Sequence, residues 1–373
     1  MKNDHCQFGG IKSGPYQPRS NEFIRSASEV TPIRNKTNKF VGVLLLLLTG
    51  SGFYAGCGGG TQSAIDPAGP QARHISFLWW LMLIVLSVVY VVVMITLFLA
   101  IRRGRRREQS ATEPETEQRL TRSVAMAVGM TVVILFSLLL VDFTTGRAIY
   151  SVQSNDAIEI KVTGHQWWWD FEYIAAVPSQ RVRASNEIHI PVGRPVKLQM
   201  TSQDVIHSFW VPNLHGKTDL LPGHQTVTWL QADEPGVYRG QCAEYCGHQH
   251  AHMALAVIAE TPDQFNAWLE NQRRPAPAPM NDEQQRGQQL FLTRACVMCH
   301  QIRGTIAGGR TAPDLTHLAS RHYIAAGTLV NNRGNLGGWI IDPQRIKPGN
   351  KMPPNQLSGE ELNALLSYLE ILK

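Results

Sequence analysis

Gln241–Met253, Q-C-A-E-Y-C-G-H-Q-H-A-H-M, places two cysteines four apart and follows them within one short loop with three histidines and a methionine. Thiolate, imidazole and thioether form a soft ligand set, which selects copper over magnesium or calcium. The thioether argues against zinc, whose protein ligands are Cys, His and carboxylate. A disulfide between Cys242 and Cys246 would account for the cysteines, but it would need none of His248, His250, His252 or Met253. Cupredoxin-type copper loops recruit a further histidine from an earlier strand. His207, in Asp204-Val-Ile-His-Ser-Phe-Trp-Val-Pro, stands where an apolar strand would end. One cysteine suffices for a mononuclear site, whereas two thiolates can bridge two copper ions, each ion taking one histidine. Met253 and a backbone carbonyl of the loop would then be weak axial ligands. Spacing alone leaves the choice among His248, His250 and His252 open.

The chain around this loop, from Tyr150 to about Val257, reads as short runs rich in Val, Ile and Trp: 157–162, 187–192, 196–201, 227–230 and 253–259. Pro-Gly and similar turn signals separate them, which predicts a β-sandwich or barrel, and with the copper-type loop a cupredoxin-like β-sandwich. A helix over Thr261–Gln272 closes a domain spanning 150–272. The spacer Arg273-Arg-Pro-Ala-Pro-Ala-Pro279 is stiff and extended, marking a boundary over 273–280.

Beyond the spacer, a capped helix over Asn281–Leu290 leads to Cys296-Val-Met-Cys299-His300. C-x-x-C-H is the pattern of c-type haem attachment, with both thiols joined to the haem and His300 as proximal iron ligand. A thioredoxin-like pair or half a zinc ribbon would need a βαβ unit or a second cysteine pair, and neither follows. Met352, on the Pro-bounded loop Gly349-Asn-Lys-Met-Pro-Pro354, is the first candidate for the sixth ligand, with His317 and His322 as alternatives. A helix over Ser358–Leu372 with a Ser-x-x-Glu cap ends an all-α domain, 281–373.

Upstream, Ile75–Ile101 is uncharged and longer than the roughly 20 residues that cross a bilayer. A second apolar run, Val124–Phe143, predicts a transmembrane hairpin with spans at 75–101 and 123–143. The arginine-rich loop 102–122 between them is cytoplasmic by the positive-inside rule, so both flanks face outward. Residues 1–56 read as a polar extension followed by a signal: basic residues, the apolar run Phe40–Leu48, and Ala55-Gly56-Cys57 in the manner of a lipoprotein box. Cys57 would then be lipidated and begin a mature N-terminal segment, 57–74; a plain signal peptide or an uncleaved anchor is the alternative. The net charge of +6 over 373 residues does not point to nucleic acid, because the densest basic run, Arg102–Arg107, directly follows the first apolar span and reads as topology.

These motifs together resemble subunit II of a haem-copper cytochrome c oxidase of the caa3 type, with a cytochrome c domain fused at its C-terminus. The family pattern C-x-E-x-C-x-x-x-H-x-x-M falls on Cys242, Glu244, Cys246, His250 and Met253, and D-V-x-H-S-F-W-V-P falls on the segment of His207. The resemblance selects His250 and implies a dinuclear copper A centre. It also implies that the Glu244 backbone carbonyl is a copper ligand and that its carboxylate faces a magnesium ion shared with subunit I. Gly164-His-Gln-Trp-Trp-Trp-Asp-Phe-Glu-Tyr173 matches the family's aromatic stretch, which implies electron entry at Trp167; on composition alone the three tryptophans would be packing. His224 stands where the family usually has Arg, and Glu117 is only the nearest acid to the one many relatives place before the second span.

The resemblance implies an electron-input subunit of a proton-pumping terminal oxidase in a bacterial inner membrane. A cytochrome c or membrane donor complex would supply the electrons, subunits I and III would be partners, and oxygen would be reduced in subunit I. A copper A nitric oxide reductase subunit is the alternative from another class. A quinol oxidase subunit would lack the copper ligands present here.

Overall fold

The computed structural model describes residues 60–104, 114–151 and 157–373. The signal-like segment with Cys57, and the run 105–107 of the basic loop, lie outside the described residues.

Helices α1 (Pro70–Gly104) and α2 (Pro114–Tyr150) are each long and apolar enough to cross a membrane. Both run past the expected spans. At 35 residues α1 is about 52 Å long, against roughly 30 Å of hydrocarbon. A helix has no reason to stop at the hydrocarbon edge. α1 begins where Pro70, which lacks a backbone donor, fits a first turn. Their apolar side chains, Trp79 and Trp80 among them, are exposed along most of both helices. The segment before α1 is stitched to the next domain: Ser63 N donates to Asn213 Oδ1 (2.8 Å), Ala68 N to Asn213 O (2.7 Å) and Asp233 N to Ala68 O (2.8 Å).

Ten strands then form two five-stranded sheets. The strands are β1 (Ile158–His165), β2 (Trp168–Tyr173), β3 (Val182–Ser185), β4 (Glu187–Pro191), β5 (Val196–Ser202), β6 (His207–Trp210), β7 (Thr218–Leu220), β8 (Thr226–Leu230), β9 (Gly236–Cys242) and β10 (Ala254–Glu260). The sheet orders are β3-β2-β1-β5-β8 and β4-β10-β9-β6-β7, with β1 parallel to β5 and β10 parallel to β4. Alternation puts Val196, Leu198 and Met200 of β5 inward, where they meet Trp169, Phe171 and Leu230 in one core. The expected runs correspond to β1, β4, β5, β8 and β10. Strand β2 was hidden because Asp170 and Glu172 on its less buried face interrupt its apolar pattern. His207 opens β6 instead of ending a strand. Asp204 Oδ1 accepts from Val205 N (2.9 Å) and Ser202 Oγ donates to Val205 O, folding 202–206 into a bend that leaves Val205 and Ile206 exposed.

Helix α3 (Pro262–Arg273), with a capping box from Thr261 and Gln264, lays Phe265 and Trp268 against Tyr173. The spacer after it is fastened down. Ala276 N donates to Arg303 O (2.9 Å), and His317 Nε2 lies 3.2 Å from Arg274 O.

The last domain contains α4 (Asp282–Thr293), α5 (Cys296–Cys299), a short hairpin β11 (Tyr323–Ile324) and β12 (Leu329–Val330), α6 (Arg333–Ile341), α7 (Pro343–Ile346) and α8 (Gly359–Leu369). The hairpin and an isolated bridge between Gln301 and Gly308 are additions to an otherwise helical design. Helices α4 and α8 cross at Gly287, where a Cβ would lie 2.0 Å from Ala364 O. Alanine gains about 1 kcal/mol of helix propensity over glycine but overpacks a crossing that cannot yield, at about 1–3 kcal/mol or more. Gly287→Ala is therefore expected to lower the melting temperature of this domain by about 5–10 °C in calorimetry.

Candidate metal and haem sites

Six potential donors converge at the end of β9. Cys242 leaves β9, the Glu244 carbonyl, Cys246 and His250 sit on the following turn, Met253 precedes β10, and His207 reaches across from β6. Cys242 Sγ and Cys246 Sγ are 3.7 Å apart, too far for a bonded pair. His207 Nδ1 lies 3.9 Å from Cys242 Sγ, His250 Nδ1 3.6 Å from Cys246 Sγ, Met253 Sδ 3.8 Å from Cys246 Sγ, and Glu244 O 3.1 Å from Cys242 Sγ. His207 and Met253 are fully buried, and the two cysteines nearly so.

Local structure decides which loop histidine takes part. Gly247, at φ +113°, allows a turn in which His250 N donates to Gly247 O (3.0 Å) and the His250 ring comes back over Cys246. His248 and His252 are left exposed, and His252 Nδ1 is engaged with Gln249 Oε1 (2.8 Å). Asp204 Oδ1, 2.9 Å from His207 Nε2, fixes the tautomer that turns Nδ1 toward sulfur. The spacing of Asp204 three residues before His207 carried that signal in the sequence. The ring packs so close to Gly164 that a Cβ there would fall 2.8 Å from it.

The two sulfurs cannot both be charged without a cation. The Cys242–Cys246 contact, against burial and with help from His207, holds Cys242 well below the usual thiol range, and the same contact pushes Cys246 up. Burial acts against a charged His207, yet Asp204 and then Cys242 together raise it. The donor set thus fits a soft cation that compensates two thiolates.

Trp167 lies beside this cluster, nearly buried, its Nε1 donating to Cys246 O (3.0 Å) alongside Gln166 Nε2 (2.8 Å). Trp169 is core, edge-on to Phe209, and Trp168 stacks on His165. Glu244 is half-buried and its neighbour Tyr245 exposed; His224 and Glu117 are exposed.

In the last domain Cys296 and Cys299 lie one helical turn apart on α5, and His300 follows. His300 Nδ1 is 2.7 Å from Pro313 O, so Nδ1 carries the proton and Nε2 is the nitrogen left for a ligand. Burial first, and then Arg321, keep this ring neutral, as an iron ligand must be. Met352 is half-buried on a loop held by Gln344, whose Nε2 donates to Asn350 O (2.7 Å) and Met352 O (2.8 Å). His317 has both ring nitrogens engaged, Nδ1 with Lys373 O (2.8 Å) and Nε2 with Arg274 O (3.2 Å). His322 faces Glu187 of β4 at 3.4 Å. The residue that sequence reading missed is Lys347, which is 2% exposed although it sits in a polar Lys-Pro-Gly turn that reads as surface.

A copper-type dithiolate cluster on a cupredoxin-like sandwich, placed between two membrane-length helices and a C-x-x-C-H domain, defines a membrane-anchored electron-transfer protein. Residues 174–260 match the family of the cytochrome c oxidase subunit II periplasmic domain, and 284–373 match the cytochrome c family. Cytochrome c oxidase subunit 2 of Alkalihalophilus pseudofirmus is 38% identical over 331 residues, covering 86% of this chain and 94% of the relative. The Bacillus subtilis protein of the same name is 31% identical, covering 89% and 97%. The crystal structure of the periplasmic domain of subunit II of cytochrome oxidase from Bradyrhizobium japonicum is 31% identical with a TM-score of 0.30, covering 33% of this chain and 96% of that one. The chain belongs to the cytochrome c oxidase subunit II family and carries a fused cytochrome c domain. It is thus a subunit of an oxidase complex with a role in electron input, with copper and haem as implied cofactors.

Proposed function

We propose that the chain takes electrons from a cytochrome c donor onto a covalent haem, relays them to a dinuclear copper centre and delivers them to the haem of subunit I of a proton-pumping oxidase. The ligands would be Cys296, Cys299, His300 and Met352 for haem, and His207, Cys242, the Glu244 carbonyl, Cys246, His250 and Met253 for two coppers. Bound in these sites, the two groups supply one-electron storage with little rearrangement. The protein's part is to orient His207 through Asp204 and His300 through the Pro313 carbonyl, and to exclude water from the sulfurs. It also sets Trp167 against Cys246 as the entry point.

The observation that carries this reading is the pair of buried sulfurs 3.7 Å apart, each facing its own histidine Nδ1. The Glu244 carboxylate would face a magnesium ion shared with subunit I, subunit III would complete the complex, and both soluble domains would lie outside the inner membrane. The domains would divide as 75–101 and 123–143 in the membrane, 150–272 for copper and 281–373 for haem.

Purification of the intact complex, with copper and covalent haem quantified per chain, tests this. Two coppers, one haem c and a multi-helix partner bearing haem a are expected. A single copper sinks the dinuclear assignment, and a partner without haem a redirects the reading toward another reductase.

A further inference from the structure

Lys347 has three ammonium donors, and each meets a backbone carbonyl from a different segment. Nζ lies 3.0 Å from Trp167 O at the β1–β2 turn, 2.8 Å from His252 O in the metal loop and 3.2 Å from Ala325 O in the hairpin of its own domain. A lysine this buried, with no carboxylate against its ammonium, is uncommon. The three carbonyls offset the lost hydration only in part, since burial still draws the ammonium down to about 7. We propose that Lys347 is a positioning residue: it pins the cytochrome c domain onto the metal loop, so that the two domains act as one rigid body and 274–279 is a strap, not a swinging tether. This rests on the electron path proposed above.

Three further observations carry it. The backbone itself crosses the junction, Ala254 N donating to Ala326 O (3.0 Å), and Gln249 Nε2 donating to Pro348 O (2.9 Å). The hairpin is bent to offer those carbonyls. Ala325, Ala326 and Gly327 run through φ of +53°, +57° and +74°, a region alanine rarely enters and that persists where surroundings over-determine it. Finally, Lys347 begins the loop that ends at Met352, and a Cβ on Gly349 of that loop would lie 3.8 Å from the Trp167 ring. Releasing Lys347 therefore loosens the loop with the candidate haem ligand from the candidate entry point.

The test uses the assembled complex, with Lys347→Met and, separately, ten Gly/Ser residues inserted between Arg273 and Arg274. Hydrogen exchange reads docking through the Ala254 amide, with the Leu198 amide inside β5 as internal control. Flash-induced transfer between haem and copper, at several viscosities, reads function. Lys347→Met should speed Ala254 exchange at least about tenfold with haem and copper spectra unchanged, and transfer should slow about tenfold and become viscosity-dependent. The insertion alone should change neither readout. Unchanged Ala254 exchange in Lys347→Met, or slower transfer from the insertion alone, overturns the pin. The insertion does not touch the Lys347 contacts, so it decides the matter even if Lys347→Met fails to assemble. Protected Ala254 in a parent protein that passes no electrons to copper would instead overturn the electron path and leave the pin standing.

Discussion

Cys246→Ser in the intact complex is expected to eliminate the dinuclear copper centre, leaving at most one weakly held ion per chain. Cys246 Sγ is the sulfur around which the other donors gather, with Cys242 Sγ, His250 Nδ1 and Met253 Sδ at 3.6 to 3.8 Å. A serine hydroxyl is hard, stays protonated at neutral pH and cannot bridge soft metal ions. Removing only a supporting hydrogen bond around a metal costs about 10–100-fold in affinity, so losing the bridging thiolate should cost more than about 100-fold. The unpaired electron that two bridged coppers would share should be confined to one ion, visible in the paramagnetic spectrum. Electron delivery to oxygen should fall to background while the haem spectrum is unchanged. Tyr245→Phe, at an exposed side chain of the same loop, is the control and should retain both coppers. Retention of two coppers in the serine variant would remove the bridging role from Cys246.

The copper-type loop was legible because four of its donors, Cys242, Cys246, His250 and Met253, lie within twelve residues, and because His207 stands in an apolar segment that had to be a strand. The choice of His250 was not legible from spacing. It depends on Gly247 entering a left-handed conformation and on the turn that returns the chain over Cys246. The sandwich could be anticipated from β5, whose alternation is clean, and from the short buried runs of β4 and β10, but not from β2, where acidic side chains occupy the less buried face. Lys347 was invisible for a physical reason. Its acceptors at Trp167 and His252 lie 180 and 95 residues away, and they are carbonyls, which every residue has and no motif records. The spacer read only as a stiff, extended boundary, which is all that composition gives, whereas its fastening to Arg303 and His317 is a property of the folded surface.

Replacement of Met352 should change the haem's potential without releasing the haem. Attachment would rest on Cys296 and Cys299, and the proximal bond on His300, whose Nδ1 is tied to Pro313 O. Met352→Ala leaves all three in place and removes only the thioether. The iron should become five-coordinate or take up water, the reduced protein should bind carbon monoxide, and the potential should fall by about 0.1–0.3 V, part of the roughly 0.8 V that axial ligands span. Met352→His should restore six-coordination at a lower potential than the parent, since methionine is the ligand that raises it. The competing ligands make the opposite prediction. His317 is engaged through both ring nitrogens and His322 faces Glu187, so His317→Ala and His322→Ala should leave potential and spectrum unchanged. Spectroelectrochemical titration of the four variants separates the cases. A six-coordinate spectrum and parental potential in Met352→Ala, with both lost in His322→Ala, would transfer the sixth position to His322. That outcome would also require His322 to leave Glu187, and with it part of the contact between the two domains.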